Sequence, residues 1–267
     1  MRHERRGVAL VLVLWLVVVL GGLAAGVVTV TRASANLAAN AKARSVARYA
    51  AESGIESTLA EIEDSLAVST DSASRTSYLN GIVFASSSRD SFVLGDARFA
   101  VVVVDPGARL DVNAAPVENL SRLFARFTDV VRSDDMARAI RRHIERAGAE
   151  VAGADVVLVS DAAAGAGHFV APVRSVDALS GISGVDSDVL RLAAPFLTVD
   201  GDGTINRSTA PEPVLAAAFG ELRDSPSRLV IVSRGWMRGH PLTHEIQGVY
   251  AISNEHLVLV HWRERER

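Results

Sequence analysis

Two short segments carry residue types that bind metal ions. The turn 200–203 places the carboxylates of Asp200 and Asp202 between glycines, and carboxylate oxygens are preferred ligands of calcium. Two carboxylates do not define a calcium site, so the turn is open to two interpretations, a weak calcium site and an ordinary turn. His240 and His244 flank a proline, which prevents the helical His-Glu-x-x-His arrangement of zinc enzymes. We therefore expect no catalytic metal.

The sequence also lacks the residues and motifs of other common catalytic sites. The chain contains no cysteine, which excludes thiol nucleophiles, disulfides and cysteine-bound zinc. Its only lysine is Lys42, which alanine follows, so a phosphate-binding Gly-Lys-Ser/Thr loop is excluded. No Gly-x-Ser-x-Gly elbow occurs, and the carboxylates show no paired spacing. The sequence predicts a protein that is not an enzyme and needs no cofactor, with calcium as the one open case.

One segment points toward nucleic acid. The stretch 179–185 (Leu-Ser-Gly-Ile-Ser-Gly-Val) resembles the helix-hairpin-helix modules of DNA-uptake proteins, whose glycines let backbone N–H groups approach phosphate. Asp186 and Asp188 follow it, where a DNA-binding protein would place basic residues. With 28 basic and 31 acidic residues, the formal charge is −3, so counterion release would contribute little. We expect no nucleic-acid partner, and a membrane-anchored DNA receptor is the competing hypothesis.

The N-terminal sequence predicts a helix that positions the rest of the chain. Residues 8–31 are uncharged, and as a helix they would span roughly 36 Å, enough to cross a hydrocarbon core of about 30 Å. The basic residues of segment 1–7 favour a cytoplasmic N-terminus for a membrane-anchored protein, although Arg32, Lys42, Arg44 and Arg48 after the span leave the charge bias ambiguous. A cleaved secretory signal is the alternative, although its apolar core is usually only about 7–15 residues long.

The helix is predicted to continue beyond this span. Residues 33–67 contain no proline, and Ile55, Leu59, Ile62 and Leu66 recur at helical spacing. Residues 8–67 would then form one rod of about 90 Å, with residues 32–68 outside the membrane. The glycine pair 21–22 is the expected position of a bend.

The remaining pattern predicts an α+β fold. We expect a long N-terminal helix packed on an antiparallel sheet, with a helical, helix-hairpin-helix-like domain inserted between strands. The sheet would comprise 69–112 and 228–267, and the insertion 113–227. Residues 69–91 are expected to form a loop, and 263–267 a solvated tail. Trp236 and Trp262 are expected to pack in the core or on the sheet, with a role as anchors for a partner protein as the alternative. The predicted strands are 92–94, 99–104, 109–112, 228–232, 244–252 and 256–262, with a further short strand considered at 155–159; the predicted helices are 117–128, 134–147, 175–180, 186–195 and 211–222.

The insertion contains an internal repeat. Residues 110–120 align with 205–215, and each copy places Ala-Pro after a short extended segment. Proline at the start of a helix loses no hydrogen bond, because the first N–H groups have no partner within the helix. Each copy is therefore predicted to form a strand, a turn and the start of a helix.

Two N-terminal motifs resemble a known family. The stretch 5–15 (Arg-Arg-Gly-Val-Ala-Leu-Val-Leu-Val-Leu-Trp) and the stretch 50–56 (Ala-Ala-Glu-Ser-Gly-Ile-Glu) are similar to the K-type minor pseudopilins of type II secretion systems (GspK). The resemblance implies that prepilin peptidase cuts between Gly7 and Val8 and methylates the new N-terminus. It also implies a place at the tip of the pseudopilus, because Leu12 stands where most pilins have a glutamate that pairs with the subunit above.

The same resemblance implies a pilin-like α+β fold with an all-helical insertion, an inner-membrane location with a periplasmic C-terminal domain, and a set of partners. These are the I- and J-type minor pseudopilins, the secretion assembly platform and prepilin peptidase, with a role in assembly initiation and protein export across the outer membrane. A minor tip pilin of a type IV pilus is the alternative within the same class. Residues 132–146 depart from the family, since they are rich in arginine where the family often has an acidic helix with tryptophan.

Overall fold

The computed structural model describes residues 4–69, 71–85, 92–153, 173–219 and 222–266. Within these ranges the chain forms six α-helices and nine β-strands, numbered in chain order. The helices are α1 Glu4–Val68, α2 Ser72–Ala85, α3 Val117–Phe124, α4 Val130–Gly153, α5 Ser187–Ala193 and α6 Glu212–Ala217. The strands are β1 Phe92–Leu94, β2 Ala97–Val104, β3 Leu110–Asp111, β4 Leu197–Thr198, β5 Ile205–Asn206, β6 Leu222–Arg223, β7 Arg228–Met237, β8 Thr243–Ser253 and β9 His256–Glu266.

The predicted continuous rod is confirmed. α1 contains 65 residues and, at about 1.5 Å per residue, is nearly 100 Å long. Its helical hydrogen bonding runs unbroken through the glycine pair 21–22. The membrane-type sequence and the alanine-rich segment after it are therefore parts of one shaft.

α1 lies on one face of a five-stranded antiparallel sheet. The strand order is β1-β2-β7-β8-β9, and the shared core includes Ile55, Ile62, Val101, Ile231 and Ile246. The helix and sheet backbones meet at Gly235, where a Cβ atom would overlap the Ala47 carbonyl oxygen and the Ala51 nitrogen. The predicted α+β class, with a long helix on an antiparallel sheet, is thus what the structure shows.

The strand directions place the insertion at the far end of α1. Arg44 pairs with Glu266 near the end of β9, whereas Glu63 accepts a hydrogen bond from the Leu257 N–H near its start. β9 therefore runs antiparallel to α1. The tight Asn254 turn that joins β8 to β9 therefore lies beside the C-terminal end of α1. β7 runs antiparallel to β8, so β7 begins at this same end, and β2 ends there because Val104 pairs with Val230.

The inserted segment between β2 and β7 has its own hydrophobic core. This core is separate from the one beneath α1 and includes Leu120, Phe124, Met136, Ile140 and Leu197. This core is built chiefly from α3–α6, a 3-10 helix at Val176–Gly181 and the short strands β3–β5. The predicted helical character of this region is therefore observed, although two short parallel strand pairs accompany the helices.

Residues 69–91, predicted to be a loop, instead contain α2. Asp71 accepts a hydrogen bond from the Ser74 N–H at 2.8 Å and begins the helix, while Leu79 and Ile82 are buried. The prediction was wrong because serine and threonine lowered the mean hydropathy and concealed this apolar pair at i, i+3 spacing.

Other strand predictions also needed correction. Leu110 and Asp111 form β3, which pairs in parallel with β4 rather than joining the main sheet. The helix predicted to reach residue 222 ends at Ala217, and β6 follows it. The tail is not freely solvated, since β9 continues to Glu266. The strand considered at 155–159 lies outside the described residues.

The turn predictions are confirmed. Gly95 has a φ of 57° in the β1–β2 hairpin, and Asn254 has a φ of 56° in the β8–β9 turn, a left-handed conformation that glycine and asparagine adopt most readily. Both turns join antiparallel neighbours of the main sheet.

Candidate functional site

The two parts of α1 have opposite environments. An 18-residue apolar stretch of α1 near the N-terminus has a mean hydropathy of 2.8, and none of it is buried. Leu12 is 67% exposed. By contrast, Ala43, Ala47 and Ala50 are completely buried against the sheet. By length and composition, this helix can cross a membrane. The predicted processing residues Gly7 and Val8 lie in its first turns.

Asp200 joins the insertion to the face of the sheet opposite α1. Its carboxylate accepts hydrogen bonds from Gln247 at 2.9 Å, His261 at 3.1 Å and Arg263 at 2.8 Å. Burial favours the neutral acid, but the His261 hydrogen bond and the Arg263 charge outweigh it and lower the pKa of Asp200. Arg228 adds a hydrogen bond to the Gly201 carbonyl. The turn predicted as a calcium candidate therefore serves as a docking point between two parts of the molecule.

The second candidate ligand, Asp202, contacts its own turn and Ser227, which precedes β7. Asp202 accepts hydrogen bonds from the Thr204 N–H at 3.0 Å and the Thr204 hydroxyl at 2.6 Å. Burial raises the pKa of Asp202, but these hydrogen bonds and those of Ser227 bring it below its usual value. The carboxylate thus stabilises its own turn.

Two arginines lie close to the pair Asp200 and Asp202. Arg263 and Arg228 already supply positive charge at this position, and a cation would have to compete with both. Across the described ranges, no group of three or more His, Cys, Asp or Glu side chains is placed to hold a metal ion. Calcium binding stays a prediction, to be tested by a calcium-dependent rise in melting temperature.

Two further carboxylates are buried near the same junction. Asp105 accepts hydrogen bonds from Gly107 N–H at 2.7 Å, Asn206 at 2.7 Å and Thr209 at 2.6 Å. Burial nevertheless raises the pKa of Asp105. Burial also raises the pKa of Asp111, to about 6. Sequence analysis did not single out either residue, although both lie at the borders of the insertion.

The hairpin that resembled a DNA-binding module is observed as a turn between short helices. The 3-10 helix at Val176–Gly181 leads through Gly184, whose φ is 93°, to α5. Asp186 accepts hydrogen bonds from the Asp188 and Val189 N–H groups at the start of α5, and it pairs with Arg132 at 3.3 Å. Its carboxylate thus occupies two N–H groups at the start of α5 and places negative charge beside the hairpin.

Several arginines of α4 serve the insertion itself. Arg141 donates hydrogen bonds to the carbonyls of Asn113 and Ala115 in the first repeat, and Arg138 pairs with Asp134 at 3.1 Å. Arg142 and Arg146 are exposed. The arginine-rich segment therefore combines internal anchoring with a small exposed basic surface.

The fold has a similar structure among solved proteins, although the sequence has no match among families or curated proteins. No family model matches the chain, and no curated protein matches it. Among solved structures, it is similar to a chain of the GspK-GspI-GspJ complex from the type 2 secretion system of enterotoxigenic Escherichia coli. The identity is 14% and the TM-score 0.49, over 80% of this chain and 100% of that chain. A likeness at this level assigns no function.

Proposed function

We propose that this chain is a minor pseudopilin of the K type, which caps the tip of a type II secretion pseudopilus. The observation that carries the proposal is the division of α1 into an uncovered apolar part and a part packed on the sheet, with the insertion at its far end. The N-terminal motifs that resemble the K type support it. The proposed role is mechanical rather than enzymatic.

In this proposal, the apolar part of α1 holds the protein in the inner membrane, with the N-terminus cytoplasmic and the folded head periplasmic. Prepilin peptidase cuts between Gly7 and Val8, and the helix then enters the filament core. Leu12 offers no carboxylate to a subunit above, so the chain is suited to the first position. I- and J-type minor pseudopilins and the assembly platform would be its partners.

The position of the insertion provides a physical reason for capping. It leaves the sheet at the end of α1 farthest from the apolar part. A helix added above would have to pass the insertion, whereas subunits below meet only the exposed shaft. The runner-up, a minor tip pilin of a type IV pilus, would use the same geometry.

N-terminal sequencing and mass spectrometry of the membrane-extracted protein, expressed with prepilin peptidase, test the proposal. We expect a methylated N-terminus at Val8. Gly7→Val should block the cut, because a side chain next to the scissile bond hinders the protease. Gly21→Val is the matched control, since a Cβ there meets nothing within 4 Å, and it should be processed normally. A start near Gly26, or an uncut Met1 beside active peptidase, would contradict the proposal.

A further inference from the structure

Part of the sheet face that carries α1 is uncovered at its outer strand. The core beneath α1 draws its fully enclosed strand residues from β2, β7 and β8, while β9 is the outermost strand. Leu259 pairs with Tyr250 of that core, yet it is 50% exposed. Trp262, 36% exposed, donates a hydrogen bond to Glu264, which pairs with Arg48 of α1. Two large apolar side chains therefore lie beside α1 and are partly exposed.

The uncovered strip has the width of a helix. α1 packs chiefly on β7. Adjacent strands lie about 4.8 Å apart, so β9, two strands from β7, is about 10 Å to the side of α1. A helix with its side chains is about 10–12 Å wide, and packed helices lie about 8–10 Å apart. A second helix can therefore lie parallel to α1 on the same sheet face.

The side of α1 that borders this strip is acidic beyond Arg44 and Arg48, which pair with Glu266 and Glu264 of β9. Glu63 accepts the Leu257 N–H at 2.8 Å. Glu56 lies near Tyr250. Burial and, to a smaller extent, the Glu56 charge raise the pKa of Tyr250 to about 12. Glu52 shares Arg48 with Glu264, at 3.0 and 3.3 Å. We call the surface formed by Glu52, Glu56, Glu63, Leu259 and Trp262 the β9 trench.

The outer edge of β9 is less suited to a partner than its face. A bulge opposite Val249 and Tyr250 interrupts the register at Val260, and the strand ends in alternating arginine and glutamate. Bulges and charges are features that hinder the addition of another strand to an edge. The apolar side chains of the trench therefore favour a partner that covers the sheet face. The glutamates of the trench favour basic residues on the polar side of that partner.

We propose that the β9 trench binds an amphipathic helix of another protein, with an apolar stripe on Leu259 and Trp262 and with Lys or Arg facing Glu52, Glu56 and Glu63. This surface goes beyond the tip-capping function and does not depend on it. Its test uses the purified chain, so either proposal can fail without the other.

The natural chain has no cysteine, so Leu259→Cys gives a single labelling site for an environment-sensitive fluorophore. The labelled full chain is placed in phosphatidylcholine nanodiscs and titrated with an 18-residue helical peptide carrying a leucine stripe flanked by lysines. The comparison peptide has glutamate in place of every lysine. We expect a blue shift with the lysine peptide, about tenfold tighter binding than with the glutamate peptide, and weakening by salt.

A charge reversal in the trench provides the second measurement. Glu56→Lys should weaken binding of the lysine peptide about fivefold. Asp188→Lys, the same change at a side chain that is 89% exposed in the insertion, should leave binding unchanged. Equal affinity for the two peptides, or equal losses in the two variants, would overturn the proposal. So would an equal spectral shift from a label at Leu192→Cys, or stronger binding by a strand-forming lysine peptide.

Discussion

The two copies of the internal repeat fold alike but use different side chains at the same position. Asp111 in the first copy accepts the N–H of Asn113 at 2.9 Å, and Asn206 in the second accepts the N–H of Ser208 at 3.0 Å. The same backbone turn is thus closed by a carboxylate in one copy and by an amide in the other. The turn geometry requires only an acceptor oxygen, so the choice between Asp and Asn depends on the surroundings.

The likeness extends beyond this turn. Pro116 and Pro211 precede α3 and α6 with φ, ψ of −61°, 157° and −71°, 159°. Each copy also receives a parallel strand, since the Val112 N–H bonds to the Thr198 carbonyl and the Arg207 N–H bonds to the Arg223 carbonyl. The surroundings of the two turns differ, because the Asn206 amide donates to Asp105, whereas Asp111 faces Gly201 and the charge of Arg228.

The largest effect is expected when Asn206 of the second copy is replaced by aspartate, the residue at this position in the first copy. Asn206→Asp would place a second carboxylate against buried Asp105 and remove a donor, so we expect a loss of about 3–5 kcal/mol at pH 7.5. The folded state would bind a proton more tightly than the unfolded state, so the loss should shrink as pH falls. Urea unfolding at pH 7.5 and pH 5 measures it, and an unchanged midpoint would show that the two sites are equivalent.

The reverse exchange should stabilise the protein. Burial raises the pKa of Asp111 from 3.8 to about 6, so its ionised form opposes folding above pH 6, and this penalty falls as pH drops from 6 toward 3.8. Asp111→Asn keeps the turn acceptor and removes the penalty, a gain of about 2–3 kcal/mol at pH 7.5. The gain should vanish near pH 4 in the same unfolding assay. A gain that persists at pH 4 would assign the effect to something other than ionisation.

A smaller loss is expected where the two copies meet. Asn119 exchanges two hydrogen bonds with the backbone of Phe219, both at 3.2 Å, while the aligned position in the second copy is buried Val214. Asn119→Ala should cost about 1–3 kcal/mol, since the backbone groups lose their partner. Val214→Ala is the matched truncation, and it should leave the protection of the Phe219 amide from hydrogen exchange unchanged.

The smallest effect should be the same in both copies. Pro116→Ala and Pro211→Ala each remove a residue that restricts the unfolded chain at a compatible backbone position. We expect a loss of about 0.5–1 kcal/mol from each. Thermal unfolding of the two variants checks this, and a large difference would mean that one proline has a tertiary role.

The sequence predicted correctly those features that depend on residues close together in the chain. Gly95 and Asn254 marked the hairpin turns, and the spacing of Ile55, Ile62 and their neighbours marked the buried side of α1. The Ala-Pro repeat predicted two turns that the structure shows in full. Its prolines precede the first helical residue instead of occupying it.

Long-range pairing was beyond this kind of signal. The partner of β3 is 87 residues away in β4, and nothing in a two-residue strand specifies a parallel neighbour. The role of Asp200 was missed for the same reason, because Gln247, His261 and Arg263 come from strands later in the chain. A turn rich in Asp and Gly carries no sign of such partners.

The pairing of Val104 with Val230 has a consequence for engineering. The backbone enters and leaves the insertion on neighbouring strands, about 5 Å apart, so a short glycine-rich connection can close the sheet after the entire helical module is excised. Val230 and Val249, now covered, would become solvent-facing and need polar replacements. The module is therefore a transplantable attachment on a scaffold whose own strand order does not require it.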